Sequence, residues 1–124
     1  MHDEWHRLCA AADLTVRPGR VRVHFPGGRS HDVHVRGTDS GYLVTATVAT
    51  WDVIGQLSNP NRAAWKRNRR SRLVGFRITA EGTLLAHGWT PEDGLTADAF
   101  QLLIRAVARE ADRYEYQLTG TDRR

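Results

Sequence analysis

The chain has 124 residues, 40% hydrophobic and 26% charged, ordinary globular values that argue against a disordered chain and leave room for a single domain, residues 1–124. No apolar run approaches the ~20 residues needed to span a bilayer, and the polar start Met1-His2-Asp3-Glu4 offers no signal peptide. The formal net charge of +4 is local in origin, because Arg62, Lys66, Arg67, Arg69, Arg70 and Arg72 fall in one stretch without an acid. Trp5, Leu8, Cys9 and Ala12 then follow helical spacing and predict a short amphipathic helix within residues 3–12. Pro18-Gly19 breaks the chain.

Beyond that break, Val21, Val23 and Phe25 alternate with Arg20, Arg22 and His24, which is the period of a strand with one buried face. Pro26-Gly27-Gly28 turns the chain, and Val33 and Val35 alternate with His34 and Arg36 to complete a β-hairpin. A third strand covers Tyr42–Ala49 and is the most apolar of the three. Thr50 can cap a helix carrying Trp51, Val53, Ile54 and Leu57. Asn59-Pro60-Asn61 interrupts it before the basic stretch, and Leu73–Thr79 alternates again with Val74, Phe76 and Ile78 on one face. Glu81-Gly82 marks a turn and Thr83–Trp89 the last strand. Thr96 can cap a closing helix in which Phe100, Leu103, Ile104, Val107, Ala108, Ala111 and Tyr114 form one apolar stripe. The expected fold is α+β, in the order α-β-β-β-α-β-β-α, with a five-stranded antiparallel sheet covered by helices mainly on one face.

That order resembles the secretion-chaperone-like fold of the type III secretion chaperones, and more closely the YbjN-type and related actinobacterial chaperone-like domains. The likeness lies in Leu57-Ser58-Asn59-Pro60-Asn61 at a helix end, in Leu73–Ile78 followed by Ala80-Glu81-Gly82-Thr83-Leu84, and in Leu95-Thr96 through Phe100 with Ala111-Asp112-Arg113-Tyr114. These are packing and turn positions. Trp65–Ser71 is longer and more basic than the family's usual connection. The resemblance implies an antiparallel sheet with helices on one face, frequent homodimers, and binding of unfolded or peptide segments without ATP.

The basic stretch is the leading candidate site. On a helix, Arg62, Lys66, Arg69 and Arg70 share a stripe beside Trp65, with Arg67 and Arg72 adding charge. Guanidinium groups pair with carboxylates or phosphates, and an indole can anchor an apolar group or stack on a base. Arg22, His24, His34 and Arg36 mark the wet sheet face as a second candidate interface. His24 and His34, with His31 and Asp32 nearby, have metal-ligand chemistry, but the flanking arginines repel a cation, so no metal or other cofactor is expected. Cys9 on a buried stripe would have a raised pKa, and neither it nor Ser40 has a base and an orienting partner in sequence. His87 beside Trp89 reads as a packing residue, and no catalytic residue is assigned. Four tryptophans exceed what a small core needs, so one or two should be exposed as interface anchors, Trp65 first.

The expected function is therefore a non-catalytic, cytoplasmic adaptor or chaperone-like module. It binds an acidic polypeptide client with help from residues 62–72, as a homodimer and without membrane attachment. A nucleic-acid-binding accessory protein using the same stretch is the alternative, as is an immunity or regulatory protein that blocks an acidic partner.

Overall fold

The computed structural model describes residues 4–54, 64 and 73–119. The first element is a 3-10 helix, Glu4–Cys9, which buries Trp5 and Cys9. It is shorter and tighter than the predicted helix, because the chain turns at Ala11 and Leu14 to enter a strand, with Leu14 N–H donating to the Ala11 carbonyl at 3.2 Å.

Among the described residues six strands follow: β1 (Leu14–Arg17), β2 (Arg20–His24), β3 (Ser30–Gly37), β4 (Gly41–Ala49), β5 (Gly75–Ile78) and β6 (Leu84–Pro91). They form one sheet in the order β1-β2-β3-β4-β6-β5, antiparallel at every pairing. The expected five strands are thus corrected to six. The additional strand is β1, joined to β2 through Pro18-Gly19. Proline fixes φ near −65° and Gly19 takes φ 73°, the combination a tight turn of the type II class requires. Pro18-Gly19 is therefore a hairpin turn and not merely a break, and Leu14 pairs with Val23 across it.

The rest of the sheet follows its alternation. Val21 and Val23 of β2, Val33 and Val35 of β3, and Tyr42, Val44, Ala46 and Val48 of β4 are buried on one face. A bulge between Thr47 and Ala49 shifts the register of β4 against β6, so Ala49 is buried as well. A short helix α1 (Trp51–Ile54) begins directly after Thr50, whose carbonyl accepts from Val53 N–H at 3.0 Å and Ile54 N–H at 3.1 Å.

The closing helix α2 (Ala97–Thr119) covers the buried sheet face. Ala99 N–H donates to the Thr96 hydroxyl at 3.2 Å, so Thr96 caps the helix as its position predicts. All seven residues of the predicted stripe, Phe100 to Tyr114, are buried. The stripe packs on β3, β4 and β6. Phe100 also meets the Tyr42 ring at 5.5 Å and the Trp5 ring at 6.1 Å, while Tyr114 meets Phe76 at 5.2 Å. The N-terminal segment is held to the same helix. Arg105 donates to both carboxylate oxygens of Asp13, at 2.8 and 2.9 Å, and Gln101 donates to the Leu8 carbonyl at 2.7 Å. The Arg105 guanidinium holds the Asp13 carboxyl below its ordinary pKa.

Close approach of α2 to β6 depends on Gly88. A Cβ at that position would lie 2.6 Å from Leu103 Cδ1, 3.2 Å from the Leu73 carbonyl and 3.3 Å from Val107 Cγ2. Gly88→Ala should therefore destabilise the protein by about 1–3 kcal/mol through overpacking, read as a lower urea midpoint at unchanged slope. An unchanged midpoint would mean the helix can lift from the sheet at no cost.

Candidate functional site

Of the two candidate surfaces, the basic stretch lies outside the described residues: Arg62, Trp65, Lys66, Arg67, Arg69, Arg70 and Arg72 all fall there. Arg22, His24, His34 and Arg36 are described, and all four are exposed on the sheet face opposite α2. Hairpin register separates the histidines. His24 pairs with Ser30 and His34 with Arg20, which sets the two imidazoles four residues apart along the strands, roughly 13 Å at strand rise. They are not cross-strand neighbours and form no shared ligand set.

Alternation places more arginines on that face than the sequence pattern singled out. Thr15 and Arg17 of β1, Arg20 and Arg22 of β2, and Arg36 of β3 stand on it together, while β5 adds Arg77 at the far edge. Asp32 is the acid among the described strand residues of this face. It binds Arg22 in a bidentate ion pair at 2.8 and 3.2 Å, and that guanidinium holds its carboxyl below the ordinary value. His24 and the Thr15 hydroxyl are hydrogen-bonded at 2.7 Å. Arg17, Arg20 and Arg36 make no ion pair with a described residue. Thr15, Arg17, Arg20, Arg22, His24 and Asp32 surround a depression in the sheet surface.

A polar cluster on the other face was missed in the sequence. His31 is 1% exposed, and its Nε2 donates to the Thr47 carbonyl at 2.9 Å. Its Nδ1 lies 3.9 Å from Asp112 Oδ1, and Arg29 Nη2 lies 3.1 Å from Asp112 Oδ2. Glu115 is buried beside them, and one ligand atom from each of His31, Asp112 and Glu115 falls within 4.8 Å of the others. The spacing would suit a cation. However, the Arg29 guanidinium already supplies positive charge to Asp112, and one His31 nitrogen is committed to the backbone. The chemistry is that of a structural network tying α2 to the β2–β3 hairpin. The signal for it was present, since His31 has the strand parity of Val33 and Val35.

Other candidates resolve more simply. Cys9 is buried, and desolvation pushes its thiol up to about 11, which removes the thiolate a nucleophile needs. Trp5 is buried in the core, whereas Trp89 is 49% exposed on the sheet face. Leu102 and Tyr116 on the outer side of α2 are also exposed. Among the described residues no helix is long and apolar enough to cross a membrane.

No protein-family model and no curated protein matches the chain. Solved structures do match it over nearly its whole length. A chain of the heterodimeric ExoU–SpcU complex from the type III secretion system of Pseudomonas aeruginosa superposes with a TM-score of 0.62 at 15% identity, covering 98% of this chain and 100% of that one. A chain of the ExsC–ExsE complex gives 0.62 at 16% identity over 95% and 96%. A chain of the HopA1–SchA chaperone–effector complex gives 0.54 at 10% identity over 96% and 90%. The α+β fold is thus of the type III secretion chaperone-like kind.

His87, on β6, packs its ring over Gly75, where a Cβ would stand 2.8 Å from the imidazole. Desolvation, aided by Arg77, lowers its pKa from the ordinary 6.5, so the folded state favours the neutral ring. The unfolded chain then takes up the proton first as pH falls, and the stability this neutral ring contributes is lost below the ordinary value. The thermal midpoint should drop as pH falls through the ordinary histidine value of 6.5, and His87→Gln should flatten part of that slope. An unaltered slope in the variant would remove His87 as its source.

Proposed function

We propose that this chain is a non-catalytic, chaperone-like module that binds a polypeptide client. The observation carrying the reading is the likeness of fold to chains taken from three protein–protein complexes, one of them described as chaperone and effector, over nearly all of each chain. Fold alone does not dictate function, but two further observations agree. Among the described residues the buried His31 cluster is held by Arg29 and a backbone carbonyl and is closed to a substrate. The exposed large apolar side chains, Trp89, Leu102, Tyr116 and Leu73, are what a partner-binding surface would present.

The sheet ends in two four-residue strands, β1 and β5, and edges of this kind accept an added strand from an extended client. In this reading the basic stretch at 62–72 favours acidic clients and accelerates their encounter in a salt-sensitive manner. The module acts in the cytoplasm as a homodimer, and it is allied to the YbjN-type chaperone-like domains.

The test is affinity capture from a lysate of its own host cells, with and without nuclease, followed by reconstitution of the purified pair. A parallel bait carries Lys66→Glu, Arg67→Glu, Arg69→Glu and Arg70→Glu. One protein should be retained after nuclease, re-form a complex of fixed stoichiometry when purified, and bind the reversed bait more weakly. Recovery of nucleic acid alone, or loss of every partner after nuclease, would overturn the reading in favour of the nucleic-acid alternative.

A further inference from the structure

We infer that the exposed face of β1, β2 and β3 is a cationic platform on which an extended acidic stretch of the client lies. The inference rests on the polypeptide-binding reading above and adds to it the place and the chemistry of contact. It uses described strand residues only and is independent of the basic stretch at 62–72.

The arrangement begins with register. Arg17, Arg20 and His34 stand in one cross-strand row, and Thr15, Arg22 and Asp32 in the next. Neighbouring strands are ~4.8 Å apart, and alternate residues along one strand are ~6.8 Å apart. Arg17, Arg20 and Arg36 stand on three successive strands, β1, β2 and β3, so carboxylates along an extended client lying across them can each meet a guanidinium. Arg22 is already paired with Asp32. The charge available to a partner comes from Arg17, Arg20 and Arg36, which have no described carboxylate in ion-pair contact.

The same face turns apolar towards its centre. Arg36 is opposite Leu43, and Leu43 is opposite Trp89, so a guanidinium, an aliphatic side chain and an indole form one row. Trp89 Nε1 donates to the Thr38 hydroxyl at 3.2 Å, which holds the half-exposed ring in place before any partner arrives. A client segment with alternating acids and one large apolar residue at its end satisfies both halves of the surface.

Other occupants fit less well. A second copy pairing through this face would set arginine against arginine about its two-fold axis, which is repulsive. Single-stranded nucleic acid read by a sheet stacks its bases on two or three aromatic side chains. Among the described strand residues of this face, Trp89 is the one large aromatic, in the row of Arg36 and not in those of Arg17, Arg20 and Arg22, beside which the rings are the smaller imidazoles of His24 and His34.

The experiment uses the whole chain and a fluorescein-labelled peptide alternating glutamate with valine and ending in phenylalanine. A glutamine counterpart and a labelled oligothymidylate serve as comparison probes. The variant is Arg17→Glu, Arg20→Glu and Arg36→Glu, which leaves the Arg22–Asp32 pair intact; the milder Arg17→Gln, Arg20→Gln and Arg36→Gln is made beside it in case reversal impairs folding. The glutamate peptide should bind the wild type with an affinity that falls steeply with salt, and the glutamine peptide at least about tenfold more weakly. Charge reversal should weaken the glutamate peptide by about tenfold or more, with the glutamine variant intermediate. Equal affinity of wild type and both variants would overturn the inference. So would tighter binding of oligothymidylate than of the acidic peptide, or a wild-type dimer that sedimentation shows to be broken by the reversal. If a reconstituted client binds wild type and reversed protein alike, the platform falls while the module reading stands. If no polypeptide binds the wild type at all, both fall.

Discussion

The apolar stripe of α2 lies over β3, β4 and β6, and that contact sets the position of nearly everything else. Phe100, Ile104, Val107, Ala108 and Ala111 are fully covered there, against Val33, Val44, Ala46, Val48 and Ala86 on the sheet. Burial of each larger side chain contributes about 1.5–3 kcal/mol, so this one interface supplies much of the driving force for folding. Gly88 lets the helix sit close, and the N-terminal segment then closes the open end through Trp5 against Phe100 and through the Asp13–Arg105 pair. A helix committed to one face leaves the other face of the sheet to solvent.

The two faces consequently differ in kind. Among the described residues the inner one is apolar except for the His31, Asp112 and Glu115 cluster, in which the Thr47 carbonyl accepts from His31 and Arg29 pairs with Asp112. Such a network contributes little net stability but makes misplacement costly, since any shift of α2 would strand a buried charge. The outer face has no comparable constraint on its side chains and is where arginine has accumulated. Its charge is held on the backbone of a paired sheet, so the spacing of the guanidinium groups is fixed more tightly than on a loop.

Legibility in the sequence followed the strength of each local signal. Helix α2 was readable almost to the residue because seven apolar positions repeat at helical spacing behind a threonine cap. Strand β1 was missed because Leu14-Thr15-Val16-Arg17 is too short to show a period, and Pro18-Gly19 reads as a break until its partner strand is in place. The positions of His24 and His34 depended on the turn that Phe25 N–H closes onto the Arg29 carbonyl, and turn length decides which residues face each other. Periodicity could name the outer face but not the register upon it. His31 was grouped with the outer histidines because its type is polar, although its parity with Val33 placed it inside. Of the candidate stretch at 62–72 only Ala64 is among the described residues, so for its basic side chains and Trp65 the sequence is the whole account.

The hydrogen bonds joining the two ends of the chain also bear on how the protein is made. Gln101 reaches Leu8 across 93 positions and Arg105 reaches Asp13 across 92, contacts that carry a large loop-closure cost and form late. During synthesis the strands leave the ribosome well before α2, with their apolar face uncovered and an edge strand at each side. For that interval the nascent chain exposes an aggregation-prone surface, and only arrival of Ala97–Thr119 covers it. Because α2 follows every strand in the chain, synthesis of that helix, more than any local turn, is the step that commits the strands to their fold.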